Sequence, residues 1–368
     1  MKDLYLDANA HMPLNPKAAK AYVDFNKSKA GYGNPSSPSV PGREAAAALE
    51  DARSRIAECI GAKSSGQIIF ATSATQACQW AMDILAQQSS TIAISPVEHH
   101  AVSDAFSEIS DDCDTKLKIN SDGLVIDDRE LDGVACIYVQ SEIGTIQPID
   151  KLNCKYIFSD MTQSLGKMHV NVSDLNVDLA VFGAHKFGGP TGVALMYLKN
   201  TGDWAKFGTG SRYFMDCPGT PNVGGIVATA VALEDALKTL QERTEKMFEF
   251  RMTLEKGLKE LGFEVIGEGE RRVPNTTFVK VPCHDPQKAN CGLALMMELG
   301  DFSVYGVHVG LGSACGSMYT GGSPLMEALG RPSDGQDYIR ISQWGDYGEE
   351  EANYVLTRIQ NARTTYVV

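Results

Sequence analysis

An α/β fold is what this sequence predicts: a largely parallel sheet covered by helices on both faces, followed by a smaller mixed unit. Three observations carry that expectation. Short apolar runs recur as "QIIFAT" (67–72), "TIAIS" (91–95), "VACIYV" (134–139), "YIFSD" (156–160), "LAVFGA" (179–184) and "VALMYL" (193–198), with helical or loop stretches between them. A run with no polar face has nothing to offer water, so such strands are buried on both sides, as in parallel sheets under two helical layers. Ahead of all of them, "REAAAALEDARSRIAECIGA" (43–62) sets Ala45, Ala48, Leu49, Ala52, Ile56, Cys59 and Ile60 at three- and four-residue spacings and stops at Gly61, an amphipathic helix with a glycine stop. Beyond them, Gly225 to about Gly262 reads as one long helix able to bridge two domains, and "FEVIGEG", "NTTFVKV", "QKANCGLALMMEL", "YIRISQ" and "EEEANYVLTRIQNA" then mix strands and helices in a small α+β unit. The boundary is placed inside that helix near residue 245, giving a large domain over 15–245 and a small one formed by 1–14 with 246–368. No internal repeat or low-complexity tract interrupts the chain.

Composition narrows the function classes. With 368 residues and 43% hydrophobic side chains, the chain can bury cores for two ordinary domains. A net charge of −13 argues against nucleic acid as a direct partner, since phosphate binding needs a basic face. The nine cysteines (59, 78, 113, 136, 154, 217, 283, 291 and 315) are odd in number, contain no CxxC pair and mostly sit in apolar stretches, so they read as thiols, neither a disulfide frame nor a zinc site. The start, "MKDLYLDANAHMP", has no apolar core of signal-peptide length, and no run approaches the ~20 apolar residues of a membrane span, so a cytoplasmic protein is expected, with no membrane partner.

In open α/β sheets, ligands sit beyond the carboxyl ends of the strands, which makes the ends of the apolar runs the informative places. "LAVFGA" runs into "HKFGGPTG", so Lys186 follows His185 and precedes three glycines and a proline, held by a turn and not on a helix face. "YIF" ends in "SDMTQ", with Asp160 and Gln163; "TIAIS" leads into "PVEHH", with His99 and His100; "IIF" leads into "ATSATQA", where Thr72, Ser73 and Thr75 open a helix. A helix N-terminus with hydroxyls suits a phosphate, although taken alone that segment is better read as plain helix capping. Each other member has its ordinary reading too: a solvated lysine, a satisfied structural histidine, a glutamine bonding its own loop. Together they describe a site for pyridoxal 5'-phosphate, with an amine for its aldehyde, a carboxylate for its ring nitrogen, a ring to stack and a phosphate cradle.

The order of these segments also resembles a family. "YLDANAHMPLNP", "GYGNPSSPSVPGREA", "IIFATSATQA", "SPVEHHAV", "SEIGTIQPI", "SDMTQSLGK", "DLAVFGAHKFGGPTGVALMYL", "PGTPNV", "GSACGS" and "YIRIS" are similar to the cysteine desulfurases of the class V aminotransferase group, from residue 4 to about 345. The resemblance implies the fold type I of pyridoxal-phosphate-dependent transferases, with a mostly parallel seven-stranded sheet. It implies that Lys186 carries the cofactor and moves a proton, that Asp160 pairs with the ring nitrogen, that Gln163 and the Ser141 position bond the phenolic oxygen, and that His99 stacks on the ring. Ser73, Ala74, Thr75 and His185 would hold the phosphate, joined by Thr220 from a second copy in a homodimer. Arg340 would grip the substrate carboxylate with its planar fork, with Asn34 and His11 at the substrate. Cys315, alone among glycines and small polar residues in "GLGSACGSMYTGG", would take the sulfur as a persulfide, a task that suits an exposed and movable thiol, and pass it to an acceptor protein.

The implied reaction converts L-cysteine to L-alanine, with the sulfur bound for iron–sulfur assembly, tRNA thiolation or DNA phosphorothioation. A selenocysteine lyase or aminotransferase on the same fold, and a non-catalytic scaffold in a sulfur-transfer complex, stay open beside it. The pattern is also departed from: Ser141 stands for an asparagine, Gly183 for a phosphate-binding serine, Ser73 for a glycine, His11 for the first threonine of "ATTP", and "SQWGDYG" follows Arg340 in place of "SLGRFT". His100 is expected to point away from His99, and His169, His284 and His308 read as structural.

Overall fold

The structure is a computed structural model that describes residues 2–109, 116–202, 219–283, 290–300, 306–312, 324–331 and 337–366. A short strand β1 (Leu4–Tyr5) precedes the main set: β2 (Ile68–Ala71), β3 (Ile92–Ile94), β4 (Leu131–Ala135), β5 (Cys154–Asp160), β6 (Leu179–Gly183) and β7 (Ala194–Leu198). These six form one sheet in the order β2-β7-β6-β5-β4-β3, in which only β7 runs against the rest. Five of the six apolar runs each supply one strand, and of the sixth, 134–139, only Val134 and Ala135 fall within β4. The seventh position expected of the sheet is reduced among the described residues to a parallel bridge from Ile94 to Lys116 at the β3 edge.

Side chains alternate across the sheet as the strand period requires. Ile157, Ala180 and Phe182 enter one core with Leu49, Ile56 and Leu233, whereas Phe158, Leu179 and Val181 enter another with Met82, Leu85 and Phe106. The first core lies under the helices Val40–Cys59 and Val223–Lys238, the second under Ala74–Gln88 and His100–Ile109. Both faces are therefore buried, which is why the strands read as continuous apolar runs. β6 and β7 pair antiparallel because the connection between them is a short turn with no crossover helix. That turn carries Lys186.

The remaining strands, β8 (Glu264–Val265), β9 (Thr276–Lys280), β10 (Val307–His308) and β11 (Tyr338–Ser342), belong to the smaller unit: β8, β9 and β11 form an antiparallel sheet, and β10 pairs with β1. Its core joins Leu4 and Leu6 to Phe250, Leu254, Val279 and Ile341. From β1 the N-terminal segment continues past Ser342, to which Asp7 is bridged, toward the ends of the main strands.

Two expectations are corrected. The helix read as continuous from Gly225 to about Gly262 is two helices, Val223–Lys238 and Leu240–Glu260, parted at Thr239 (φ −102°, ψ 8°). Thr239 Oγ1 donates to the Asp235 carbonyl (2.9 Å) and accepts from Arg243 Nε (3.0 Å), so the break is made by a side chain with no glycine or proline. The cysteines are not all thiols either: Cys283 and Cys291 form a disulfide with Cα atoms 6.1 Å apart, tying the chain after β9 to the start of the helix Cys291–Leu299. No described helix is long and apolar enough to cross a membrane.

Candidate active site

A cavity of about 340 Å³ opens at the carboxyl ends of the main strands. β6 ends at Gly183 and passes into a single 3-10 turn, Ala184–Lys186, which lifts the lysine out of the sheet. The glycines that follow have structural reasons. Gly188 has φ +86°, and a Cβ on Gly189 would stand 2.9 Å from both Cβ and the carbonyl oxygen of Ala184, so the turn folds back on itself only without a side chain there. Lys186 Nζ donates to the backbone carbonyls of Asn9 and Ala10, each at 2.7 Å, which aims the amine along the cavity wall.

The neighbouring strand supplies the carboxyl. Asp160, the last residue of β5, is buried and accepts from the Thr162 backbone N–H (2.9 Å). Burial pushes its carboxyl up from the usual carboxylate range, against the opposing pull of the Thr162 hydrogen bonds and the Lys186 charge. His99 precedes the helix His100–Ile109, and the Ala101 N–H donates to its Nδ1 (3.2 Å). Burial, helped by His100, Lys186 and Arg340, lowers its pKa to about 3, so the ring is neutral and its proton sits on Nε2. His185 is likewise lowered to about 4 by burial and by Lys186, His11 and Lys167, and its ring stacks on His11 at 5.4 Å.

On the phosphate side, Ser73 Oγ accepts from the Gln76 N–H and caps the helix Ala74–Gln88, whose first residues line the cavity mouth. Across the cavity Arg340, in β11 and 1% exposed, donates from Nη2 to Asp7 Oδ1 (2.8 Å) and from Nη1 to the Ser141 carbonyl (3.2 Å), while its buried Nε–H has no partner. Its strand position is locked by paired backbone bonds to Gly310 (2.7 and 2.9 Å).

Of the residues singled out in the sequence, His11, Ser73, Ala74, Thr75, His99 and Ser141 line this cavity, as do Asp160, Gln163, His185, Lys186 and Arg340. Asn34 and Thr220 do not: both are exposed, and in its own loop Asn34 accepts from the Ser36 N–H with Oδ1 (2.9 Å) and from the Ser37 N–H with its backbone carbonyl (2.8 Å). Cys315 lies outside the described residues. His100 does not point away from His99; the two rings lie 3.9 Å apart, at 35° to each other. At the Gly183 departure a Cβ would stand 3.2 Å from both the His185 ring and the Thr162 methyl, so a side chain there would require these two to shift by a few tenths of an ångström.

The sequence reading missed Asn9 and Lys167. Asn9 is 2% exposed and bonds to Ser141, Gln163, Lys186, Thr276 and Ser342 at once. Lys167, 1% exposed, donates to Asn9 Oδ1 (2.8 Å) and to Gln163 Oε1. Its place four residues after Gln163 was the one local signal.

The donor set fits pyridoxal phosphate on a structural observation: a buried carboxyl at one end of the cavity offers a complement to a protonated ring nitrogen, a lysine amine stands beside it, and a helix N-terminus with hydroxyls opens at the mouth. The family model for class V aminotransferases matches residues 4–353. The chain is 32% identical over 381 residues to the cysteine desulfurase IscS of Dictyoglomus turgidum, covering 96% of this chain and 93% of that protein. Among solved structures, a NifS-like protein superposes with a TM-score of 0.83 at 28% identity, covering 99% of this chain and 100% of that one. The apo cysteine desulfurase of Thermococcus onnurineus NA1 superposes with a TM-score of 0.80 over 99% and 95% of the two chains; at 20% identity that likeness speaks for the fold.

Proposed function

The chain belongs to the class V aminotransferase family, and from that premise we propose that it is a pyridoxal-phosphate-dependent cysteine desulfurase that acts as a homodimer. The observation that supports this reading most is that Lys186, Asp160, His99 and Arg340, drawn from segments far apart in the chain, face one cavity. Lys186 Nζ would hold the cofactor covalently, Asp160 its ring nitrogen, and Gln163 and Ser141 its phenolic oxygen. Ser73, Ala74, Thr75 and His185 would hold the phosphate. The bound group supplies an electron sink for the substrate's α-carbon. Thr220 and Asn34, exposed and away from their own cavity, suit a second copy whose site they complete, and Tyr32 beside Asn34 leaves 74% of its surface for such a contact.

The chain's own residues then divide the work. Arg340 has a buried Nε–H without a partner, and with an Nη donor it can bind an α-carboxylate in two parallel bonds, orienting the amino acid. Lys186, released from the carbonyls of Asn9 and Ala10, carries the proton to and from the α-carbon. Neutral His99 offers the Nε2 proton on the cavity side. The Cys315 thiol attacks the substrate sulfur: the carbon–sulfur bond breaks, a sulfur–sulfur bond forms, and the carbon gains a proton, so L-cysteine and a thiol give L-alanine and a persulfide. We propose a division into a domain over 15–245 and one of 1–14 with 246–368, which would put Cys315 and Arg340 on the second and the cofactor groups on the first. A sulfur-acceptor protein completes the cycle.

The reading is tested by incubating the purified, cofactor-loaded protein with L-cysteine and a thiol reductant. Sulfide and alanine are expected in equal amounts; 3-mercaptopyruvate formed only with an added keto acid, which takes up the amino group, would make it an aminotransferase, and no product at all would make it a scaffold.

Ser141 gives a smaller test. Its buried side chain is shorter than the asparagine of relatives, and a neutral hydrogen bond contributes about 0.5–1.5 kcal/mol. Ser141→Asn is therefore expected to slow cofactor loss on dialysis about two- to tenfold. Unchanged or faster loss would mean that another group, with Ser73 the first choice, already compensates.

A further inference from the structure

We propose that Lys167 is a positioning residue of this site: it fixes which end of the Gln163 side-chain amide faces the cofactor's phenolic oxygen. The inference deepens the function proposed above and rests on its placement of Gln163 beside that oxygen.

An amide can sit either way round, and only its partners decide which. Here every partner points the same way. Gln163 Oε1 accepts from Lys167 Nζ, so Nε2 is the end left on the cavity side, where it donates to the Asn9 backbone carbonyl at 2.9 Å. Lys167 Nζ acts here as a donor, to Asn9 Oδ1 as well as to Gln163, so Oε1 is the end of the amide that belongs against it. Asn9 is fixed by the same logic: Oδ1 accepts from Lys167 Nζ (2.8 Å) and Asn275 Nδ2 (3.0 Å), and Nδ2 donates to Thr276 Oγ1 (2.9 Å) and the Ser141 carbonyl (3.1 Å). One assigned chain of bonds thus runs from β9, at Thr276, through Asn9 and Lys167 to Gln163.

Lys167 Nζ has two acceptors, Asn9 Oδ1 and Gln163 Oε1. Burial, together with the charges of Lys186 and Arg340, holds the amine well below the ordinary lysine range. His185, the other titratable group facing it, is itself neutral, since its pKa lies near 4.

The consequence is readable without turnover. An N–H donated to the phenolic oxygen favours its deprotonated form and lowers the pH at which the bound cofactor's visible band titrates. If Lys167 is removed, Gln163 is free to turn, the donor is lost for part of the population, and that midpoint rises.

The experiment is a spectrophotometric pH titration of the loaded, substrate-free enzyme in wild type, Gln163→Met, Lys167→Met and the double variant. Gln163→Met is expected to raise the midpoint by about half to one pH unit, the size of one neutral hydrogen bond. Lys167→Met should raise it in the same direction, and the double variant should go no further than Gln163→Met, because both act through one N–H. A midpoint that moves in Gln163→Met but not in Lys167→Met overturns the proposal while the placement of Gln163 stands. No movement in Gln163→Met removes that placement, and the proposal with it. Additive shifts would mean that Lys167 acts on the cofactor by another path, which also overturns it. Should Lys167→Met not fold, Lys167→Leu, which likewise offers Gln163 Oε1 no donor, is expected to raise the midpoint in the same way, and a wild-type midpoint in it overturns the proposal equally.

Discussion

Lys186→Ala will leave a folded protein with no borohydride-reducible link between cofactor and chain, and turnover will fall by at least about a thousandfold. The size follows from what the amine does. Proton transfer by a positioned side chain contributes about 10² to 10⁴ in rate, and the covalent hold on the cofactor is lost in addition. The fold survives because the turn is built by backbone and glycines: Gly188 and Gly189 shape it, and Phe187 packs 1% exposed in the core beneath. Removing Nζ costs two hydrogen bonds to carbonyls. The Asn9 carbonyl keeps Gln163 Nε2, so the loss falls mainly on Ala10, about 1 kcal/mol at this half-buried position. The site holds a second lysine, which makes the test sharp. Lys167 is 1% exposed, does not line the cavity, and has its amine committed to Asn9 and Gln163, so it cannot take over. If borohydride treatment and peptide mapping of the variant find the cofactor on Lys167 or any other lysine, the assignment of Lys186 is wrong.

How much of this was legible before the structure depends on how far apart the interacting residues lie in the chain. The six main strands were readable because each is an apolar run buried on both faces. Even so, "VACIYV" is displaced, as the strand is Leu131–Ala135, and Ile137 and Val139 lie beyond its end as cavity wall. Asp132 and Gly133 hid the start of that strand, since the pairing that recruits them belongs to neighbours in space. Thr239 ends a helix through its own hydroxyl, and no glycine or proline marks the place. Cys283 and Cys291 meet across eight residues, a spacing that has no motif.

The site divides in the same way. Lys186, Asp160, Gln163 and His99 sit where apolar runs stop, so a rule about strand ends finds them. Asn9, Asp7 and Lys167 do not. Asn9 acts through residues 132 to 333 positions away, and Asp7 through Arg340 at the far end of the chain, so their roles exist only once the N-terminal segment has crossed from the small sheet to the large one. Asn34 and Thr220 show the converse, being named by resemblance yet lying outside the cavity of one chain.

The second large effect lies at Cys315. In Cys315→Ala, L-cysteine is still expected to bind through Arg340 and to change the cofactor spectrum on mixing, because neither step uses the loop thiol. Sulfide and alanine production should then fall by several orders of magnitude, as when an attacking nucleophile is removed and water cannot replace it. Among the described residues, no other thiol is placed to rescue the variant. Cys78 comes nearest, since it lines the cavity, but it is fully buried, and burial, with the charges of Asp160 and Glu98, pushes its thiol well above the usual range, so it holds its proton. Cys136 is pushed up by burial in the same way, Cys59 and Cys154 to about 11, and Cys283 and Cys291 are joined to each other. Sulfur capture needs a thiolate, and these groups withhold it. Cys78→Ala should accordingly keep turnover within about twofold of wild type, which separates reach into the cavity from the capacity to attack. Mass spectrometry of wild type after one load of cysteine should find the added sulfur on the peptide containing Cys315. Wild-type turnover in Cys315→Ala, or the added sulfur on Cys78, would show that acceptance happens inside the cavity and would remove the loop from the mechanism.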